Sequence, residues 1–295
     1  MIMAAHRKRF RLPFIAITAV ALFVTLFPVF WVLRMSFTPN KLVLPSAGSL
    51  LPERLTETNY LRVLGLVDSA TAVKLGGSGQ KINFLRFLLN SFLVSSIVTV
   101  SQVLFSAMGA YAFARLRFPG RKALFGIYLS ALMVPAIVTT IPNFILMRDL
   151  GWLNTYLGIM APAILMTPYS VFFLRQFFLG INRELEEAAR IDGAGKARVF
   201  FRIILPMSAA SLTTLAVIVF VGQWNDYMWP FIVGKDESVR LLTVALGVFR
   251  SQTPQGMPDW GGLMAGTMLA ILPTVALFAA LGRRIVNSIN FSGFR

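Results

Sequence analysis

The sequence predicts an all-α, polytopic integral membrane protein with six transmembrane helices and one long, charged cytoplasmic loop. Three observations predict it. Of 295 residues, 56% are hydrophobic and only 14% charged, with a mean hydropathy of +0.70; soluble domains carry roughly 25% charged residues. Six stretches are apolar over the length a bilayer requires, about 20 residues at about 1.5 Å each across a core about 30 Å thick. The basic residues sit between these stretches rather than along one face.

In chain order, residues 1–11 (M-I-M-A-A-H-R-K-R-F-R) precede the first span, 12–33. A secretory signal is not expected there, because no small-residue cleavage site follows and Phe30-Trp31-Val32-Leu33-Arg34 is bulky and charged. Residues 34–86 hold Pro39, Pro45, Pro52 and Gly76-Gly77-Ser78-Gly79, which predicts a flexible, partly irregular external loop with one short helix near 56–64. The remaining spans are 87–113, 123–147, 156–178, 203–233 and 263–281. Prolines occur in or at the ends of every span except the second: Pro13, Pro28, Pro135, Pro142, Pro162, Pro168, Pro206, Pro230 and Pro273. Interior ones remove a backbone hydrogen bond and kink their helices. Ser106, Ala110 and Ala114, and Gly262-x-x-x-Gly266, have the spacing that lets helix backbones approach in lipid. The chain divides into an N-terminal helix and external loop (1–86), a core of five spans (87–286) and a short tail (287–295).

Charge sets the expected orientation. Residues 1–11, 115–122, 175–202 and 283–295 carry 17 of the 28 Lys/Arg. The positive-inside rule then places both termini and the 180–206 loop in the cytoplasm of a cell with this chain in its inner membrane. The net charge of +16 therefore reads as membrane topology, with the lipid bilayer as partner and no nucleic acid. There are no cysteines, which excludes a disulfide framework and cysteine-based metal or redox sites.

The polar loop reads E-L-E-E-A-A-R-I-D-G-A-G-K-A-R-V-F-F-R-I-I-L-P from Glu184 to Pro206. Asn182 is a candidate N-cap, and Glu184, Glu186 and Glu187 suit the positive end of a helix dipole. Arg183/Glu187 and Glu186/Arg190 are i,i+4 pairs. A helical wheel puts Leu185, Ala188, Ala189 and Ile191 opposite Glu186 and Arg190, so the helix would present small residues on one side and charges on the other, and the alanines would let a partner groove close around it. Gly193 supplies a left-handed stop, and a second helix is expected from Lys196 through Leu205-Pro206 into the fifth span.

Glu187-Ala188-Ala189, Gly193 and Ile203-x-Leu205-Pro206 form one spaced pattern that closely resembles the coupling-loop motif of the membrane subunits of ATP-binding-cassette (ABC) importers. Residues 85–286 are similar to the maltose-type carbohydrate-uptake branch, through Gly151-Trp152-Leu153-Asn154-Thr155, Trp224-Asn225-Asp226-Tyr227, Asp259-Trp260-Gly261 and Met264-Ala265-Gly266. Asn182 stands where proline is common. The resemblance implies a permease for a sugar or sugar-like solute, working with a second permease subunit, two ABC ATPase subunits and an extracytoplasmic solute-binding protein. It implies ATPase coupling through Glu187, Ala188, Ala189, Asp192, Gly193, Ile203, Leu205 and Pro206. ATP and Mg would bind the partner ATPase, and this chain would carry no cofactor, metal or catalytic residue. Gly195-Lys196-Ala197 fails the phosphate-loop pattern twice, at Arg190 and at Ala197.

An acid in a span should face water, the bundle interior or a partner. Gln223, Asn225 and Asp226 either line the route or its outer gate, or Asp226 fixes a helix end or a subunit contact. Trp31, Trp152, Tyr156, Trp224 and Trp229 suit an interfacial belt, with sugar stacking as the other reading. Asn90, Gln102 and Asn143 suit interhelical hydrogen bonds, and Arg175 is expected to snorkel at a span end. An ion-coupled secondary transporter is the alternative class, but Asp226 is its only clear intramembrane acid. An enzyme lacks a His, Cys or paired-carboxylate cluster, and a channel lacks a recognisable filter. The solute itself is not encoded in these motifs.

Overall fold

A computed structural model describes residues 11–79, 82–250 and 256–290. Its helices are α1 (Arg11–Ser36), α2 (Thr58–Val63), α3 (Ser69–Lys74), α4 (Phe84–Arg115), α5 (Arg121–Ser130), α6 (Ala136–Asp149), α7 (Tyr156–Met160) and α8 (Pro168–Leu179). After these come α9 (Glu184–Ile191), α10 (Lys196–Val199), α11 (Leu205–Met207), α12 (Ala209–Trp224), α13 (Met228–Val233), α14 (Leu242–Leu246) and α15 (Trp260–Asn290). No β-strand occurs among the described residues, so the all-α class holds.

The count of six spans is not confirmed. Three helices are long and apolar enough to cross a membrane, over Phe14–Ser36, Phe84–Arg115 and Trp260–Gly282; two bent pairs raise the number to five. Proline explains the first bend. Val134 and Pro135 take extended backbone angles, as a residue before proline prefers, and the axis turns 96° between Arg121–Met133 and Ala136–Asp149. The expected fourth span is split into α7 and α8 by a turn at Ala161, with Pro162 beyond it and Thr167 capping the Pro168 start. The chain from Lys196 does not continue straight into the fifth span either. It passes through a wide π-helical turn at Phe200–Ile204, then bends 78° into α12 at Ser208. Pro206 has no N–H to give the ladder there.

The described residues up to Phe84 cluster with those of Leu246–Leu272 as one unit; Leu85–Ala245 and the described residues from Pro273 form another. In the first unit, the 34–79 segment expected to be flexible is instead held by buried polar side chains. Asn59 donates to the carbonyls of Ser36 and Thr38, both at 2.8 Å. Asn40 donates to Gly76 O at 2.7 Å and accepts from Gly261 N at 3.0 Å. Arg62 and Asp259 form a buried ion pair, and Asp259 also accepts from Ser78 N and Gly262 N. Gly77 is required because a Cβ would land on the Arg62 guanidinium. The expected short helix is present as α2. The pairing of these residues across the sequence is what makes a Pro/Gly-punctuated segment regular.

In the second unit, Ala107, Ala110, Tyr111 and Ala114 of α4 pack on Val171, Leu174 and Phe178 of α8, with Val199, Phe200, Ile204, Leu215 and Val219 completing the core. Ser106, Ala110 and Ala114 are all buried, so the small-residue face does pack. Asn90 donates to the carbonyls of Ser238 and Arg240, and Gln102 to Thr167 and Ser170. Asn143 makes no such bond among the described residues.

Candidate functional site: the coupling loop

The loop begins where α8 ends at Gly180. Asn182 accepts from Glu184 N at 3.1 Å and donates to the Glu184 carboxylate at 3.0 Å, but the cap of α9 is Arg183 rather than the expected Asn182, which lies one residue before it. Three glutamates follow in the first turn, where the helix dipole favours them. At the far end Gly193 has φ +79. Ala194 N bonds Ala189 O at 2.8 Å and Gly193 N bonds Arg190 O at 3.0 Å, the paired bonds of a Schellman stop. Nothing lies within 4 Å of a Cβ built on Gly193, so its requirement is for backbone angle alone.

The side of α9 that carries Leu185, Ala188 and Ile191 is open, with Leu185 and Ile191 44% and 87% exposed. Glu186 is buried. The reason is a partner distant in sequence. Arg115, the last residue of α4, meets Glu186 at 3.1 Å, and its guanidinium also donates to the carbonyls of Phe178 and Ile181. The Arg115 Nε and Glu186 Oε1 atoms are at ion-pair distance without hydrogen-bond alignment. Arg190 approaches the other oxygen of Glu186 at 3.6 Å, so one of the two anticipated i,i+4 pairs forms. No Arg183–Glu187 ion pair is present among the described residues. Glu187 is exposed, so of two adjacent acids one is buried and the other faces out.

Around this pair lies a cleft of about 330 Å³, lined by Arg115, Arg117, Arg183, Arg190 and Lys196 together with Glu186 and Glu187. Ala188 and Asp192 are exposed beside Glu187, and Ala189 is half-buried against the core. Ile203 and Leu205 are half-buried on the same core, whereas Pro206 is exposed. The motif therefore divides: Glu187 to Gly193 forms an outward helix and its stop, and Ile203-x-Leu205 packs the second segment down. Neither Arg115 nor the inward turn of Glu186 was legible in the sequence, since nothing local to either residue names the other.

The second candidate group lies at the end of α12. Asn225 donates back to Val221 O at 2.8 Å. Asp226, half-buried, accepts through its backbone carbonyl from Thr243 at 2.7 Å, and its backbone N–H bonds Gln223 O at 3.3 Å where α12 ends. Gln223 is half-buried. Trp224 is a core side chain stacked on Phe220, not part of an interfacial belt, and Trp229 donates to Gly158 O and Ile159 O. Asn154 bonds the backbone N–H groups of Lys235 and Asp236, and Thr155 caps α7, so the Gly151–Thr155 motif is scaffold. Arg175 does not snorkel away from the protein. It donates to Phe113 O and lies 4.3 Å from the Phe125 ring.

Long apolar helices and bent pairs, with an outward helix–glycine–helix loop between them, define a polytopic membrane protein. Residues 102–290 match the family described as "Binding-protein-dependent transport system inner membrane component", and the chain belongs to that family. It is 32% identical over 275 residues to the arabinooligosaccharides transport system permease protein AraQ of Halalkalibacterium halodurans, covering 92% of each chain. It is 31% identical over 267 residues to the trehalose/maltose transport system permease protein MalG of Thermococcus litoralis, covering 90% of each. The sn-glycerol-3-phosphate transport system permease protein UgpE of Agrobacterium fabrum is 32% identical over 265 residues, with 89% of this chain and 90% of that one covered. A crystal structure of a bacterial ABC transporter involved in the import of the acidic polysaccharide alginate superposes with a TM-score of 0.77 at 22% identity, over 94% of this chain and 96% of that one, which supports the fold. The protein is thus a multi-pass inner-membrane permease subunit of an ABC importer. It is a transporter component rather than an enzyme, with no cofactor of its own, and the ion-coupled alternative is not supported.

Proposed function

We propose that this chain imports a carbohydrate or a carbohydrate-like solute, and that Glu187–Pro206 is the lever by which a separate ATPase drives it. The observation that carries the reading is the outward presentation of α9: Leu185, Ala188 and Ile191 are exposed beside Glu187 and Asp192 while the opposite face is anchored. A short helix with an apolar stripe and one acid suits a groove in a partner, where Glu187 offers a charge-assisted hydrogen bond. The assembly would hold a second permease subunit, two ATPase subunits that bind ATP and Mg, and an extracytoplasmic solute-binding protein. Both termini and the loop would lie on the cytoplasmic side, where ATP is available.

Gly193→Pro tests the lever, because proline cannot adopt the left-handed backbone that ends α9. Affinity purification of the importer should lose the ATPase subunits in this variant; full retention with wild-type transport would sink the reading. The solute class is tested by co-purifying the binding protein and identifying the retained solute by mass spectrometry, where a non-carbohydrate would refute it. Gln223, Asn225 and Asp226 are proposed to line the outer part of the route, a role that unchanged transport by Asp226→Ala would remove.

A further inference from the structure

We propose that Arg115 and Glu186 form a buried clamp that seats the coupling helix on the end of α4 and sets which face of α9 is offered to the ATPase. The inference deepens the docking reading above and rests on it. The sequence pattern gives Glu186 no role, since the acid of the spaced motif is Glu187. Yet Glu186 is the residue of α9 that is buried, with its side chain 4% exposed against 2% for Arg115. An uncompensated buried charge is costly, so the two must be kept together.

The clamp reaches three elements. Arg115 closes α4, its guanidinium binds the carbonyls of Phe178 in α8 and of Ile181 just beyond, and Glu186 lies in the first turn of α9. One side chain therefore ties the end of a long apolar helix to both sides of the turn that leads into α9. Consecutive helical residues point about 100° apart, so fixing Glu186 inward fixes Glu187 and Leu185 to either side and Ile191 outward. Rotating α9 without breaking the pair is prevented. The link is also soft, because its atoms meet off the hydrogen-bond axis beside an open cleft of about 330 Å³.

The test is a double-mutant cycle in the complete importer, with its partner permease, ATPase subunits and binding protein. It reads ATPase retained on affinity purification, ATP hydrolysis by the complex, and the amount of chain in the membrane. Glu186→Gln leaves Arg115 charged without a carboxylate, and ATPase retention should fall roughly tenfold; Arg115→Gln should do likewise. The double variant replaces the pair by two neutral, hydrogen-bonding side chains and should lose no more than the worse single. Wild-type retention in Glu186→Gln overturns the clamp. So does a double variant whose loss is the product of the two single losses, since the residues would then act independently. Where a single variant does not accumulate, the double decides: accumulation with near-native ATPase retention supports the clamp, and its absence overturns it. Gly193→Pro in parallel separates the two ideas. ATPase retained there removes the docking reading, whereas ATPase lost there but retained in Glu186→Gln removes the clamp alone.

Discussion

Arg62 and Asp259 meet with both carboxylate oxygens hydrogen-bonded, to the guanidinium and to the backbone N–H groups of Ser78 and Gly262, beside a cavity of only about 10 Å³. Arg115 and Glu186 meet at ion-pair distance without that alignment, beside a cleft more than an order of magnitude larger. Both pairs bury charge, and the difference lies in what surrounds them. Around Asp259 the acceptors are filled from several directions, which fixes one geometry and supports the 34–79 segment as a rigid piece. Around Glu186 one oxygen has only the loosely placed Arg190 at 3.6 Å, which leaves room for adjustment. A static brace and an adjustable one can be made from the same two residue types.

That contrast can be broken most forcefully at Asp259. Asp259→Ala strands Arg62 as a buried charge, at a cost of about 3–5 kcal/mol. Thermal unfolding of the detergent-solubilised importer should show this as the largest loss in Tm of any of these variants. Gly77→Ala comes next, because the added Cβ must displace a guanidinium that Asp259 holds in place; a loss of about 1–3 kcal/mol is expected, and an unchanged Tm would refute the rigid reading. At the small end, Arg190→Ala removes an i,i+4 contact whose arginine is half exposed. The expected cost is under about 0.5 kcal/mol, a Tm shift of no more than about 2 °C. A large shift there would show that the adjustable pair is tighter than its geometry suggests.

How far these features were legible follows the reach of each physical signal. The membrane class and the Gly193 stop depend on local composition and backbone angle, and both are present in the structure. The six-span count is not confirmed, because hydropathy averages over the bends that backbone chemistry imposes at Val134-Pro135, after Ala161 and at Ser208. The burial of Glu186 was illegible for a different reason. A helical wheel ranks faces by polarity, and Glu186 goes inward only because Arg115, far along the chain, awaits it. The same limit hid Arg62–Asp259 and made the 34–79 segment look loose. Asp226 was left open between a route and a helix end; its backbone lies at the close of α12, where its carbonyl accepts from Thr243.

The outward stripe of α9 also bears on how such a complex is manufactured. Leu185 and Ile191 stand in water until something covers them, and covering a large aliphatic side chain releases about 1.5–3 kcal/mol. On the docking proposed above, an orphan copy of this subunit would display a sticky helix that a finished complex covers. Supply of the ATPase in step with the permease would then keep that helix from meeting the wrong surface, and its exposure would mark incomplete assembly.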